Sequence, residues 1–303
     1  MFGHRIKAAA LAAAALLLAA SPAAAIEVLT GTLKKAAEAG EVVIGYRTAS
    51  VPFSFLEKIG RSDHPMGYAI DICQEIVDDM SKASGRPLKI RYEPVTSETR
   101  IDAVTSSKVD LECGSTTTNA ERRKTVAFSP IDFISATKLL VKKDSGIGSY
   151  RDLAARKIVV TAGTTNEAAV KDMLGKAKLK AEILTGKDHA ESFAMVKDGR
   201  ADAFATDDVL LYGLKAAEGP AGADYAVLPE KLSFEPYAIM FRKDDPELSS
   251  LVTSTFQRLA ESRELRWTYE KWFLKRLPNG ERLDIPMSDD LRTSFLVMGL
   301  QDY

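Results

Sequence analysis

The chain has 303 residues, 46% of them hydrophobic and 27% charged, with two cysteines and a formal net charge of −1. These proportions belong to a globular protein and exclude collagenous, disordered and multi-span membrane chains. Balanced charge also removes the basic footprint needed to wrap nucleic acid, and the length suggests two units of roughly 100–200 residues each.

Residues 1–25 read as a secretory leader. His4, Arg5 and Lys7 make a positive start, residues 8–20 are an apolar run of 13, and Pro22 leads into Ala23, Ala24 and Ala25, a small-residue cleavage site before Ile26. A run of 13 falls short of the roughly 20 residues needed to cross a bilayer, so the expected product is secreted and free in solution. Its formal charge, without Arg5 and Lys7, is −3. Cys73 and Cys113 would then lie in an oxidising compartment, where a disulfide and two buried thiols are both open.

Along the remaining chain, short β-rich runs alternate with helical periods, the signature of parallel sheets covered by helices. A strand is expected over 42–46. A helix follows over 67–84, because Ala69, Ile70, Cys73, Ile76, Val77 and Met80 recur at three and four, with Gly85 as its stop. A strand over 88–92, a helix over 98–106 and a strand over 109–113 complete one α/β lobe. The order then restarts with a strand at 158–161, a helix at 167–174, a strand at 181–184, a helix at 189–196 and a strand at 201–205. Residues 107–111 and 199–203 share a basic residue and an aspartate flanking one apolar residue, which points to two lobes of like topology. Beyond Tyr237 come a strand, a helix over 246–262 and a helix whose Trp267, Tyr269, Trp272 and Phe273 read as packing.

Motif inventory excludes several chemistries. The sequence has no GxSxG, GxGxxG, GxxxxGK, CxxC or HExxH. Beyond the leader only His64 and His189 remain, far apart, so neither a metal site nor a cofactor is expected. What stands out is a set of polar clusters at strand or helix ends: Arg47, residues 97–100, residues 115–122, residues 163–167, His189, and Asp207 with Asp208. Each alone is explained by solvation or helix capping. Together, Arg47, Arg100 and Arg122 with several hydroxyls make an anion site, since a guanidinium fork pairs bidentately with carboxylates. Asp207 supplies the opposite charge, so a ligand with two carboxylates and one ammonium matches the inventory.

Residues 45–54 (GYRTASVPFS), 112–117 (ECGSTT), 160–165 (VTAGTT) and 187–189 (KDH) together resemble the bacterial periplasmic glutamate/aspartate-binding proteins that serve ABC importers, type II solute-binding proteins of family 3. The resemblance runs from about Leu33 to about Ser288. It implies two α/β lobes, each a mostly parallel sheet flanked by helices, joined by hinge strands near 132–137 and 232–237. Lobe 1 would comprise 26–132 and 238–303, and lobe 2 would comprise 133–237. Carried over by position, Arg122 clamps the α-carboxylate of L-glutamate or L-aspartate with Ser115, Thr117 and Thr165. Asp207 takes the α-ammonium, with Asp208 the alternative. Arg47, Ser97, Arg100 and His189 hold the side-chain carboxylate. The implied partners are the membrane permease and ATPase subunits of the transporter, with the binding protein itself a monomer. Two other classes compete. One is a secreted dehydratase on the same scaffold, acting on a cyclic amino acid or related acid with Glu167 as general acid. The other is a secreted sensor or adhesion module.

Overall fold

The computed structural model describes residues 29–300, so the leader expected over 1–25 and its cleavage point lie outside the described residues. Two five-stranded sheets organise the chain. The first runs in the order Lys89–Pro94, Glu41–Tyr46, Leu111–Glu112, Met240–Arg242, Val126–Phe128, and the second in the order Glu182–Gly186, Lys157–Thr161, Ala203–Asp207, Thr137–Lys142, Tyr225–Val227. In both, the first three strands are mutually parallel and the fourth runs antiparallel to its neighbours. A short antiparallel pair, Phe133–Ser135 with Glu235–Tyr237, carries the chain from one lobe to the other and back. The antiparallel strand of each sheet is the segment that enters just after a crossing, which is why both sheets share one order.

Apolar runs set the layers. Val42 and Ile44 face one buried layer and Val43 the other; Ile158 and Val160 oppose Val159 in the same way in the second lobe. Sheets covered on both faces need such unbroken runs. The repeated aspartate has a matching backbone role in each lobe. Asp110 accepts the Val43 N–H through Oδ2 at 2.9 Å, and Asp202 accepts the Lys157 N–H through Oδ2 at 2.7 Å. Each therefore fastens the start of the third strand to the first, and the strands expected over 109–113 and 201–205 begin after the aspartate, at Leu111 and Ala203.

The helix expected over 67–84 spans Tyr68–Ser84 and buries its apolar stripe. Its Cys73 is joined to Cys113 in a disulfide, with Cα atoms 6.3 Å apart, tying the helix to the end of the third strand. Tyr269, Trp272 and Phe273 of helix Glu264–Phe273 are packing residues, as expected: Tyr269 and Phe273 stack on Phe133, Phe273 meets Phe53 and Tyr68 edge-on, and Trp272 meets Phe55 edge-on. Trp267 is not: it is 57% exposed, because it lies on the opposite side of that helix from the buried stripe. The sequence reading also passed over helix Asp208–Ala217, which opens directly after Asp207, and the antiparallel strands Ser54–Ile59 and Ser62–Met66.

Candidate functional site

Parallel strands bring their carboxyl ends to one edge, where open α/β sheets bind ligands. Arg47 follows Glu41–Tyr46, Ser97 follows Lys89–Pro94, and Ser115 follows Leu111–Glu112; in the other lobe Thr165 follows Lys157–Thr161, His189 follows Glu182–Gly186, and Asp207 ends its own strand. Those two edges face each other. Arg122 Nη2 donates across the gap to the Gly163 carbonyl at 3.2 Å. Gly163, at φ +71°, has its Cα against the backbone of Ser97 and Glu98, where a Cβ would come within 2.6 Å of the Ser97 oxygen. Only glycine tolerates both the left-handed conformation and this approach.

Donors dominate the first-lobe side. Arg47, Ser97, Arg100, Ser115 and Thr117 are all at most 5% exposed. Arg100 Nη1 donates to Thr116 Oγ1 at 2.6 Å, and Thr116 in turn donates to Glu112 Oε2. Arg122 Nη1 donates to the Thr117 carbonyl at 2.6 Å. Yet Arg47 Nη1, Ser97 Oγ, Arg100 Nε and Ser115 Oγ are buried with no protein hydrogen-bond partner. Burial and the neighbouring Arg100 push the Arg47 and Arg122 guanidinium groups down to about 10. Leaving such donors unmet costs about 1–3 kcal/mol each, more when charged.

The second-lobe side supplies acceptors and one neutral ring. His189 opens helix His189–Lys197, whose cap is the Asp188 carboxylate accepting from the Glu191 N–H at 2.8 Å. Its Nδ1 lies 2.9 Å from Thr161 Oγ1. Burial, then Arg47 and Arg100, hold its pKa well below the usual histidine value, so the ring is neutral. Asp207 accepts from Asn166 Nδ2 at 2.7 Å through Oδ1 and from the Tyr237 hydroxyl through Oδ2. Burial and the Glu235 charge push its carboxyl up to about 7. Asp208 is engaged elsewhere, with Lys138 at 3.0 Å and Ser135 at 2.7 Å. Glu167 pairs with Lys171 at 2.6 Å on an exposed helix face, with its side chain 40% accessible.

Two carboxylates complete the site without having been assigned a role from the sequence. Glu112, fully buried, is a counter-charge to all three arginines. Glu235, on the returning hinge strand and 3% exposed, accepts from Thr117 at 2.7 Å and Thr165 at 2.6 Å, so one side chain touches both lobes. Thr165 stands at the N-cap position of helix Asn166–Ala177, but its hydroxyl makes no capping bond and goes to Glu235 instead.

Residues 42–275 match the bacterial extracellular solute-binding proteins, family 3. The chain belongs to that family. It is 42% identical over 266 residues to an L-glutamate/L-aspartate-binding protein of Pseudomonas aeruginosa, covering 87% of each chain. It is 35% identical over 266 residues to a glutamate/aspartate import solute-binding protein of Escherichia coli, again covering 87% of each. Among solved structures it is similar to an ancestral amino acid-binding protein, a precursor of cyclohexadienyl dehydratase, with 30% identity, a TM-score of 0.68, and coverage of 80% of this chain and 99% of that one. The type II two-lobed fold is therefore that of a solute-binding family. Its curated relatives are transport proteins rather than enzymes.

The sequence carries one signal for Glu235: a carboxylate set between the apolar residues Phe234, Pro236 and Tyr237. Such a residue is rarely buried unless it is paired.

Proposed function

We propose that the chain captures one acidic amino acid, L-glutamate or L-aspartate, between its lobes in the periplasm and presents it to the permease and ATPase subunits of an ABC importer. The observation that carries this reading is the set of buried donors without acceptors: Arg47 Nη1, Ser97 Oγ, Arg100 Nε and Ser115 Oγ. They call for a ligand rich in carboxylate oxygens. In this reading Arg122 holds the α-carboxylate, aided by Ser115 and by the backbone N–H groups of Thr117 and of Thr165 at the start of helix Asn166–Ala177. Asp207 takes the α-ammonium, and Arg47, Ser97, Arg100 and neutral His189 take the side-chain carboxylate. Residues 26–132 and 238–303 act as one lobe and 133–237 as the other, a monomer whose closed form is what the permease reads.

The dehydratase reading is supported less well. Glu167 is turned to solvent against Lys171, while the second cationic set suits a second carboxylate better than a ring. Calorimetric titration tests the choice, using protein stripped by unfolding and refolding and offered glutamate, aspartate, glutamine and prephenate. Tight one-to-one binding of glutamate or aspartate, with glutamine much weaker, is expected. Heat only from prephenate, continuing at a steady rate, would make the chain an enzyme.

A further inference from the structure

Glu235 contacts the two threonines nearest the cleft, and it does so with one oxygen. Thr117 Oγ1 and Thr165 Oγ1 both donate to Oε2, at 2.7 and 2.6 Å. The other oxygen is held from below, where Ser233 Oγ donates to Oε1 at 2.6 Å. A hydroxyl has a single hydrogen and two lone pairs. Once that hydrogen is spent on a carboxylate, in a bond roughly twice as strong as a neutral one, the hydroxyl can only accept from anything else. Thr117 comes from the first lobe and Thr165 from the second, so both walls of the cleft are set in the same sense.

The neighbouring network is polarised likewise. Thr206 donates to the Asn166 amide oxygen at 3.3 Å, which fixes the amide and turns both its hydrogens toward acceptors, Thr137 Oγ1 and Asp207 Oδ1, each at 2.7 Å. Asp207 is thereby held as an acceptor, near enough to Glu235 to feel its charge, and the two hydroxyls bonded to Glu235 are acceptors as well. Three acceptors match the three N–H bonds of a primary ammonium. They are a poor match for a third carboxylate or a neutral hydrocarbon terminus.

We infer that Glu235 is a positioning residue that determines selectivity for an amine-bearing ligand: by taking the hydroxyl hydrogens of Thr117 and Thr165 it turns both toward the cleft as acceptors, so that the site admits an amino acid in preference to the corresponding plain dicarboxylate. The inference rests on the acidic amino acid reading above and refines it. It leaves the α-carboxylate to Arg122 and backbone N–H groups, and gives the two threonine hydroxyls to the ammonium.

The test compares L-glutamate with glutarate, which has the same two carboxylates and no amine. Glu235→Gln keeps the side-chain shape. With the amide oxygen kept toward Ser233 and Thr137, the two hydroxyls that Oε1 already serves as acceptor, the new NH2 faces Thr117 and Thr165 and forces their hydrogens outward. Glutamate affinity should fall at least tenfold while glutarate affinity holds within about threefold or improves. Thr165→Val should show the same split, and Thr165→Ser, which retains the hydroxyl, should bind both ligands as the unmodified protein does. Far-UV circular dichroism and thermal midpoints establish that each variant is folded. If glutamate and glutarate weaken equally, or the ratio stays within threefold, the inference is overturned. If the unmodified protein binds neither glutamate nor aspartate, the proposed function fails first, and the two failures are distinct.

Discussion

Arg122 joins the two lobes at the level of single atoms, reaching the Thr117 carbonyl with one nitrogen and the Gly163 carbonyl with another. Carbonyls are partners it can exchange for a carboxylate. Removing it would leave that carboxylate in the cleft without its cation, so Arg122→Ala should cost about 3 kcal/mol of binding, or roughly a hundredfold. This is the lower end for a broken buried pair because the side chain is only half-buried. A loss under tenfold in a calorimetric titration would contradict the assignment. Asp207 makes a second prediction. Its carboxyl titrates near 7 in the folded protein, against about 4 in an unfolded chain. Between those values the native state holds a proton that the unfolded state has released, so this contribution to stability falls as pH rises through the window. An ammonium ligand needs the ionised form and drives that proton out. Affinity should rise from pH 5 to pH 7 and level off above, and binding at pH 6 should release close to one proton, read by titrating in buffers of different ionisation enthalpy. His189 is already neutral there and adds nothing.

Among the elements, helix Asp208–Ala217 is the one whose sequence is most constrained by the other lobe. Val209 and Leu210 pack into the core of the first lobe, and at Gly213 a Cβ would lie 2.1 Å from the Val51 carbonyl oxygen. Glycine costs a helix about 1 kcal/mol relative to alanine, so the position trades local propensity for close apposition. Gly213→Ala should therefore show opposite signs in two assays: a ligand-free urea midpoint that is unchanged or higher, and ligand affinity lower by tenfold or more. If affinity is retained, the contact does not limit closure. Helix Tyr68–Ser84 carries the other element-level device, its disulfide to Cys113 across a separation of 40 residues. Loop entropy puts its contribution at roughly 4 kcal/mol. Reduction, or Cys73→Ala with Cys113→Ala, should lower the unfolding free energy by about that amount while ligand affinity changes little, since both cysteines lie in the buried apolar core of the first lobe.

Across the whole molecule, ligand binding and folding are one linked equilibrium, because the site exists only when both lobes are folded and apposed. Glutamate at a hundredfold excess over its Kd should add about 2.7 kcal/mol to the unfolding free energy, seen as a rising urea midpoint, and glutarate at the same concentration should add much less. The sequence by itself determined the alternation of strands and helices, the repeat marked by Asp110 and Asp202, and the clusters from Arg47 to Asp207, since periodicity, breakers and charged residues at strand ends are local features. It left the Cys73–Cys113 pairing open and read Trp267 as core, because sulfur proximity and the side of a helix facing solvent depend on what packs beside them. Only the tertiary structure decided that Glu112 and Glu235 belong to the site, that the Thr165 hydroxyl turns away from its helix, and that Asp208 and Glu167 are engaged elsewhere. The physical reason is common to all of these: the partner of a buried polar group lies tens to hundreds of residues away, as Thr117 does from Glu235, and nothing in the local pattern reveals which groups folding will shield from water and oblige to pair.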